Sequence, residues 1–402
     1  MHFHLKSINI NIQYNITDRD FATRCEPVGS QSSKKEFSMT ATPFHGSDLE
    51  KIEQLYGIPK EKITGFGSNV NPLGLSPRLK EYLAARLDVL SSYPDREYTG
   101  LRRAIAAYTK ADAAHVLCGN GSTELISACI RALSPERALL ISPSYSEYER
   151  ELRLVGCIPD YFTLLEENDF RPDTAGLIRR LEETPSFRML ILCNPNNPTS
   201  GALTVSELRK LLSFCQEAGI HVMVDETYAE FAPDVDAISA IPLTKEFSCL
   251  IVLRGISKFW AAPGLRLGYA VTSDEALRGD ILSRKDPWTV SSLADLAGQF
   301  LFSDHIYIEE TRTLISCERQ RIRQALSGLA VKTYPCFANF ILCRILKKEV
   351  SAHTLFEAAI RQGMMIRDCS DFPGLDENFF RFCFLLPEQN DRLLSCLTEL
   401  LG

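Results

Sequence analysis

A chain of 402 residues, 45% apolar and 24% charged, is long enough for one large core and a smaller satellite domain, and its composition is that of an ordered globular protein. A formal net charge of −7 excludes the broad Lys/Arg-rich face that nucleic-acid binding needs, while leaving room for a basic pocket. The 13 cysteines are scattered with no Cys-x-x-Cys pair, no run approaches 18 apolar residues, and the N-terminus has no signal-peptide pattern, so no metal site, disulfide scaffold or membrane span is expected and the cytoplasm is the default location.

Residues 1–43 stand apart as an N-terminal extension. The alternation from Phe3 to Tyr14 permits one exposed strand, and a polar run, Gly29 to Glu36, follows it. Met39 lies just before the recognisably globular sequence, so the first 38 residues read equally well as an upstream segment with little structural role. A segment over 44–90 comes next. It contains a helix from Asp48 to Tyr56, stopped at Gly57-Ile-Pro59, and a second from Pro77 to Leu90. After the loop Ser92 to Asp95, a third helix is expected from Thr99 to Ala111.

The pattern then changes to short apolar runs separated by helices, which defines a large domain over 91–290. Strands are expected at His115–Cys118, Arg137–Ile141, Cys157–Thr163, Arg188–Cys193, His221–Val224 and Cys249–Leu253. Helices are expected at Ser122–Leu133, Tyr145–Val155, Thr174–Glu182 and Thr204–Ala218. Such alternation predicts an α/β fold with a mostly parallel central sheet covered by helices, and ligands at the carboxyl ends of its strands. A connecting helical stretch spans 291–326. A small C-terminal α+β domain over 327–402 follows, with strands at Lys332–Pro335, Phe340–Arg344, Met364–Asp368 and Phe380–Leu385 and helices at Ser351–Gln362 and Pro387–Leu401.

Four motifs fall at predicted strand ends. The turn Cys118 to Glu124 (CGNGSTE) places Gly121, Ser122 and Thr123 at the opening of a helix, where free N–H groups and hydroxyls make a phosphate cradle; taken alone it is also an ordinary glycine turn. Asn194 to Gly201 (NPNNPTSG) is a proline-locked loop that fixes its asparagines, or simply a tight strand-to-helix connection. Asp225 directly follows a buried strand, where a carboxylate needs a cationic partner, from a pyridinium or from a protein base. Lys258, flanked by Ser257, Gly264, Arg266 and Gly268, supplies the amine for Schiff-base chemistry. Each motif is weak alone. Their ordered combination is specific.

From about His45 to the C-terminus the chain resembles the fold-type I pyridoxal-phosphate enzymes, in the branch of histidinol-phosphate aminotransferase and its relative threonine-phosphate decarboxylase. The resemblance implies pyridoxal 5'-phosphate as cofactor, held covalently by Lys258, which also shuttles the proton at the substrate α-carbon. It implies that Asp225 faces the ring nitrogen, Tyr228 and Asn197 the ring oxygen, and Tyr145 the ring plane. Gly121, Ser122, Thr123, Ser257 and Arg266 would grip the phosphate, and Tyr93 would reach the phosphate of a neighbouring subunit in a homodimer with shared active sites. The 44–90 segment would then join the small domain and the dimer interface. Arg381 corresponds to the arginine that clamps the α-carboxylate, and His45, Asn69, Asn339 and Arg367 to further substrate-side positions.

The activity so implied is amino-group transfer on an amino acid or a phosphorylated amino compound, by a 1,3-proton shift. Two alternatives stand beside it: a lyase like the threonine-phosphate decarboxylase of cobalamin biosynthesis, and a cofactor-binding module without turnover. His45-Gly46, the run Asn69 to Gly74, Pro263-Gly264 and the run Arg367 to Leu375 lean toward the decarboxylase. Ser47, Gly67, Ser200 and Leu385 depart from its pattern.

Overall fold

Strand side chains alternate between two faces, so a sheet covered on both sides must be apolar at successive positions. The central strands obey this. Leu139, Ile141, Leu190, Leu192, Val222 and Val224 enter one core, while Ala138, Leu140, Met189, Ile191 and Met223, interleaved with them, enter another.

The computed structural model describes residues 48–402. The expected strand from Phe3 to Tyr14, the rest of the 1–43 extension and His45 lie outside the described residues. In chain order the elements are α1 (Leu49–Tyr56), β1 (Thr64–Gly65), α2 (Pro77–Ala84), α3 (Thr99–Thr109), β2 (Val116–Gly119), α4 (Gly121–Leu133), β3 (Arg137–Ser142), α5 (Glu147–Leu154), β4 (Ile158–Thr163), α6 (Thr174–Glu182), β5 (Met189–Cys193), α7 (Val205–Glu217), β6 (His221–Asp225), β7 (Leu250–Gly255) and β8 (Gly268–Val271). They continue with α8 (Glu275–Arg284), α9 (Ser292–Leu301), α10 (His305–Leu326), β9 (Val331–Thr333), β10 (Phe340–Ile345), α11 (Ala352–Arg361), β11 (Met364–Met365), β12 (Arg367–Asp368), β13 (Phe379–Cys383) and α12 (Pro387–Leu401).

The main sheet has seven strands in the order β2-β8-β7-β6-β5-β3-β4. Strands β7, β6, β5, β3 and β4 run parallel to their neighbours, and β8 alone is reversed, antiparallel to both β2 and β7. A second, antiparallel sheet, β12-β13-β10-β9, with α11 and α12 forms the smaller α+β region. This is the α/β architecture expected from the alternating pattern. Among the described residues no helix is long and apolar enough to cross a membrane.

Several elements differ from expectation. Strand β8 was not anticipated, because it is only four residues long and begins at Gly268, a position read only for its chemistry. Helix α8 was not anticipated either; it buries only Leu277 and Ile281 and is started by Asp274, which accepts from the Leu277 N–H. The expected continuous helix over 291–326 is two helices broken at Phe302–Asp304. There Asp304 caps α10 and is held by Ser76 Oγ at 2.7 Å and Arg78 at 2.9 Å. Helix α2 stops at Ala84 rather than Leu90, and a separate 3-10 turn covers Leu87–Ser91. The strand expected over Met364–Asp368 is split: β11 pairs with β1, and β12 pairs with β13.

Candidate active site

The carboxyl ends of β3, β5, β6 and β7 open on one cavity of about 380 Å³, within the range of small-molecule sites. It is lined by Ser122 and Thr123 from the start of α4, Tyr145 after β3, Asn197 after β5, Asp225 and Tyr228 at the end of β6, Ser257 and Lys258 after β7, and Arg266. The small sheet adds Arg367 and Arg381. Asn69 lines it from the N-terminal side. The structure therefore brings together most of the residues singled out in the sequence.

Asp225 is 4% exposed and burial raises its pKa above the usual carboxylate range. Three donors oppose that cost: Tyr148 Oη at 2.7 Å on Oδ2, and the Thr227 N–H at 2.9 Å and Oγ1 at 2.5 Å on Oδ1. Lys258 Nζ donates to Ser68 O at 2.7 Å, and burial, then the charge of Arg381, brings its pKa down to about 8. An amine so poised is protonated about as often as not slightly above neutrality, which suits both nucleophile and proton carrier.

Three successive backbone carbonyls organise the substrate side. Gly67 O accepts from Arg381 Nη2 at 2.9 Å, Ser68 O from Lys258, and Asn69 O from Asn339 Nδ2 at 3.0 Å. Asn69 itself has a φ of 56° and lies 3.4 Å from Tyr228 Oη through Nδ2. Arg381 Nη1 also donates to Asn197 Oδ1. Burial lowers the Arg381 pKa below its usual value, and neighbouring Arg367 pushes the same way; the side chain stays cationic. Arg367 is held by both oxygens of Asp371 at 2.8 Å, by Asp368 O at 2.6 Å, and by the ring of Phe372.

The residues present can accept a phosphorylated, aldehyde-bearing pyridine. At the turn into α4, Gly121 has a φ of 76° and a Cβ there would stand 2.4 Å from Arg266 Nη2, so glycine keeps the guanidinium close against the turn. Asn69 Oδ1, Asn339 Oδ1 and Arg381 Nε are buried without a hydrogen-bond partner, which leaves polar capacity on the substrate side. Asp225 offers the buried carboxylate that a ring nitrogen requires, and Lys258 the amine.

Three expected residues among those described do not line this cavity: Tyr93, Asn339 and Gly121, which abuts Arg266 at the turn into α4. Tyr93 is 79% exposed and packs on Trp288 at 4.8 Å between ring centroids. Asn339 touches the site only through Asn69, and His45 lies outside the described residues. Sequence reasoning missed Tyr148, Thr227, Ser68 and Asp371. Tyr148 follows Tyr145 by three residues and Thr227 follows Asp225 by two, the spacings of a helical face and of an Asx turn, so both were detectable. The carbonyl of Ser68 carries no side-chain signal.

The profile of "Aminotransferase class I and II" matches residues 61–397. Threonine-phosphate decarboxylase of Salmonella typhimurium is 34% identical over 358 residues, covering 89% of this chain and 96% of that protein. Histidinol-phosphate aminotransferase of Methanothermobacter thermautotrophicus is 30% identical, covering 88% and 93% respectively. The crystal structure of histidinol-phosphate aminotransferase from Clostridium acetobutylicum matches with a TM-score of 0.78 at 30% identity, over 83% of this chain and 98% of that one. With the fold and the cavity at its strand ends, these matches make the chain a member of the class I and II aminotransferase family, of the fold-type I pyridoxal-phosphate kind, in the branch that joins histidinol-phosphate aminotransferases and threonine-phosphate decarboxylases.

Proposed function

We propose that this chain decarboxylates a phosphorylated α-amino acid of the threonine-phosphate type, ahead of the amino-group transfer expected from sequence. The observation that carries this reading is the pairing of Arg367 on β12 directly opposite Arg381 on β13, both facing one cavity. Side chains opposite one another on an antiparallel pair stand about 5 Å apart at their Cβ atoms, where two like charges repel unless anions bridge them. A short amino acid bearing both a carboxylate and a phosphate meets that need in one molecule, whereas histidinol phosphate carries only the phosphate. The 34% identity to the Salmonella decarboxylase supports the same side.

Bound pyridoxal phosphate supplies an electron sink for negative charge developing at the substrate α-carbon. Ser122, Thr123, Ser257 and Arg266 would hold its phosphate, Asp225 its ring nitrogen, Tyr145 its ring face, and Tyr228 with the Asn197 amide its ring oxygen. Arg381 would grip the α-carboxylate through its planar fork and so fix the orientation of the substrate α-carbon. Lys258 would hold the cofactor at rest, and its amine would carry the proton that replaces the lost carboxylate at the α-carbon. Arg367 receives the phosphate. In this reading the enzyme is a cytoplasmic homodimer in which Tyr93, exposed on its own subunit, completes the neighbouring site.

Product analysis with threonine phosphate and histidinol phosphate, each with and without a keto-acid acceptor, tests the proposal. Carbon dioxide released from threonine phosphate without acceptor is the expected outcome. Acceptor-dependent keto-acid formation without carbon dioxide would establish amino-group transfer instead.

A further inference from the structure

The cavity is lined by four cations, Lys258, Arg266, Arg367 and Arg381, and by two carboxylates, Asp225 and Asp371. Asp225 faces away from the arginine pair, toward Tyr148 and Thr227. Asp371 is therefore the one carboxylate among the lining residues beside the arginine pair, and both of its oxygens accept from Arg367 Nη2, a donor that an incoming anion would use, while Nη1 donates to Asp368 O.

Asp371 is not needed to aim that fork. The Arg367 guanidinium also donates to Asp368 O at 2.6 Å and lies 5.1 Å from the centre of the Phe372 ring, and its side chain is only 14% exposed. Asp371, by contrast, is on an exposed loop tip, with a side chain 30% exposed. A further cavity of about 120 Å³ shares Tyr145, Tyr148, Arg367, Asp371 and Phe372 with the main cavity, so Asp371 borders open space in both.

Resting on the reading that Arg367 receives a phosphate, we propose that Asp371 is a displaceable internal counter-ion that sets how strongly an anion must bind to occupy the Arg367 site. In the resting site its carboxylate occupies Arg367 Nη2 through both oxygens, and a ligand reaches that nitrogen only by displacing it. The displacement cost is the same for every anion, so only a ligand that binds the guanidinium well enough to exceed it, such as a phosphate dianion with more charge and more acceptors than a carboxylate, fills the site. No covalent step is involved.

The test uses holoenzyme whose Lys258-cofactor link has been reduced with borohydride, so that the cofactor's own phosphate site stays filled, and inorganic phosphate and acetate as probes in isothermal titration. Asp371→Asn keeps the shape of the side chain and removes its charge. Phosphate and acetate binding are both expected to tighten about fivefold in the variant, and Arg367→Gln/Asp371→Asn is expected to abolish both gains. Unchanged or weaker phosphate binding in Asp371→Asn, with circular dichroism matching the parent, would overturn the proposal, since a residue that only positions Arg367 would lose affinity when neutralised. If the variant misfolds, Asp371→Ser supplies the same comparison. Failure of the proposed reaction reads differently: anion affinity would respond to Asp371 as expected, while threonine phosphate would yield no product.

Discussion

Tyr148 donates a 2.7 Å hydrogen bond to Oδ2 of Asp225 across 77 residues of sequence, from within a helix that packs beside the cavity. Asp225 is otherwise served only by its near neighbour Thr227. Tyr148 is thus the long-range tie that aims the carboxylate. Removing one hydrogen bond to a charged group costs about 1.5 kcal/mol, so Tyr148→Phe is expected to weaken cofactor affinity roughly tenfold. Fluorescence titration of the apoprotein with pyridoxal phosphate measures this. Unaltered affinity would mean that Thr227 alone holds Asp225.

Asp225 itself should trade stability for function. Burial raises its folded-state pKa above the unfolded value, so the folded protein binds the proton more tightly. The stability this confers is present below the unfolded pKa and is lost as pH rises through the folded value. The carboxylate is a burden on the apoprotein at neutral pH. Asp225→Asn is therefore expected to raise the apoprotein melting temperature at about pH 8, with the advantage shrinking toward about pH 4, while cofactor affinity and turnover collapse. Parallel thermal melts across that range decide it. An apoprotein that melts lower at every pH would show that the three hydrogen bonds outweigh the cost of burying the charge.

Much of this site was legible because its residues sit where strands end. Apolar runs of four to six residues mark the sheet, and Asp225 and Lys258 each follow one closely. The parts that escaped notice depend on distant partners. The break between α9 and α10 is set by Asp304 meeting Ser76 and Arg78, more than 200 residues earlier. Strand β8 is apolar only at Tyr269, Ala270 and Val271, too short a run to separate from a loop, and its reversed direction is a fact of pairing with β2 and β7. Asp371 looked like part of a family signature. Its bidentate hold on Arg367 becomes visible only once β12 and the loop after it are placed.

Lys258 gives a pH signature. Its amine must be neutral to attack the cofactor aldehyde, and its pKa lies at about 8, well below that of an exposed lysine. Capture of pyridoxal phosphate by the apoprotein should accelerate with pH around a midpoint of about 8. Arg381→Met removes the positive charge that contributes to this depression, so its midpoint should move upward. Stopped-flow absorbance over a pH series reads both curves. A parent midpoint near 10 or above, the range of ordinary lysines, would mean that water reaches the amine freely.

Gly121 and Gly268 should fail differently when given a side chain. A Cβ on Gly268 would stand 2.4 Å from Ser122 N and 2.5 Å from Gly121 C, and both are backbone atoms of the phosphate turn. Neither can move without shifting β8 or the start of α4. A Cβ on Gly121 meets Arg266 Nη2 at 2.4 Å, a flexible side-chain end, but adds the strain of a φ of 76°. Gly268→Ala is expected to cost about 2 to 3 kcal/mol of stability and to weaken the grip on the cofactor phosphate by spreading the turn. Gly121→Ala should cost about 1 to 2 kcal/mol and act on the cofactor through Arg266. Denaturant melts with cofactor titration separate the two, because adding Arg266→Ala should lessen the harm of Gly121→Ala and leave that of Gly268→Ala intact. Equal relief in both double variants would show that Arg266, rather than the backbone contact with β8, sets the shape of the turn.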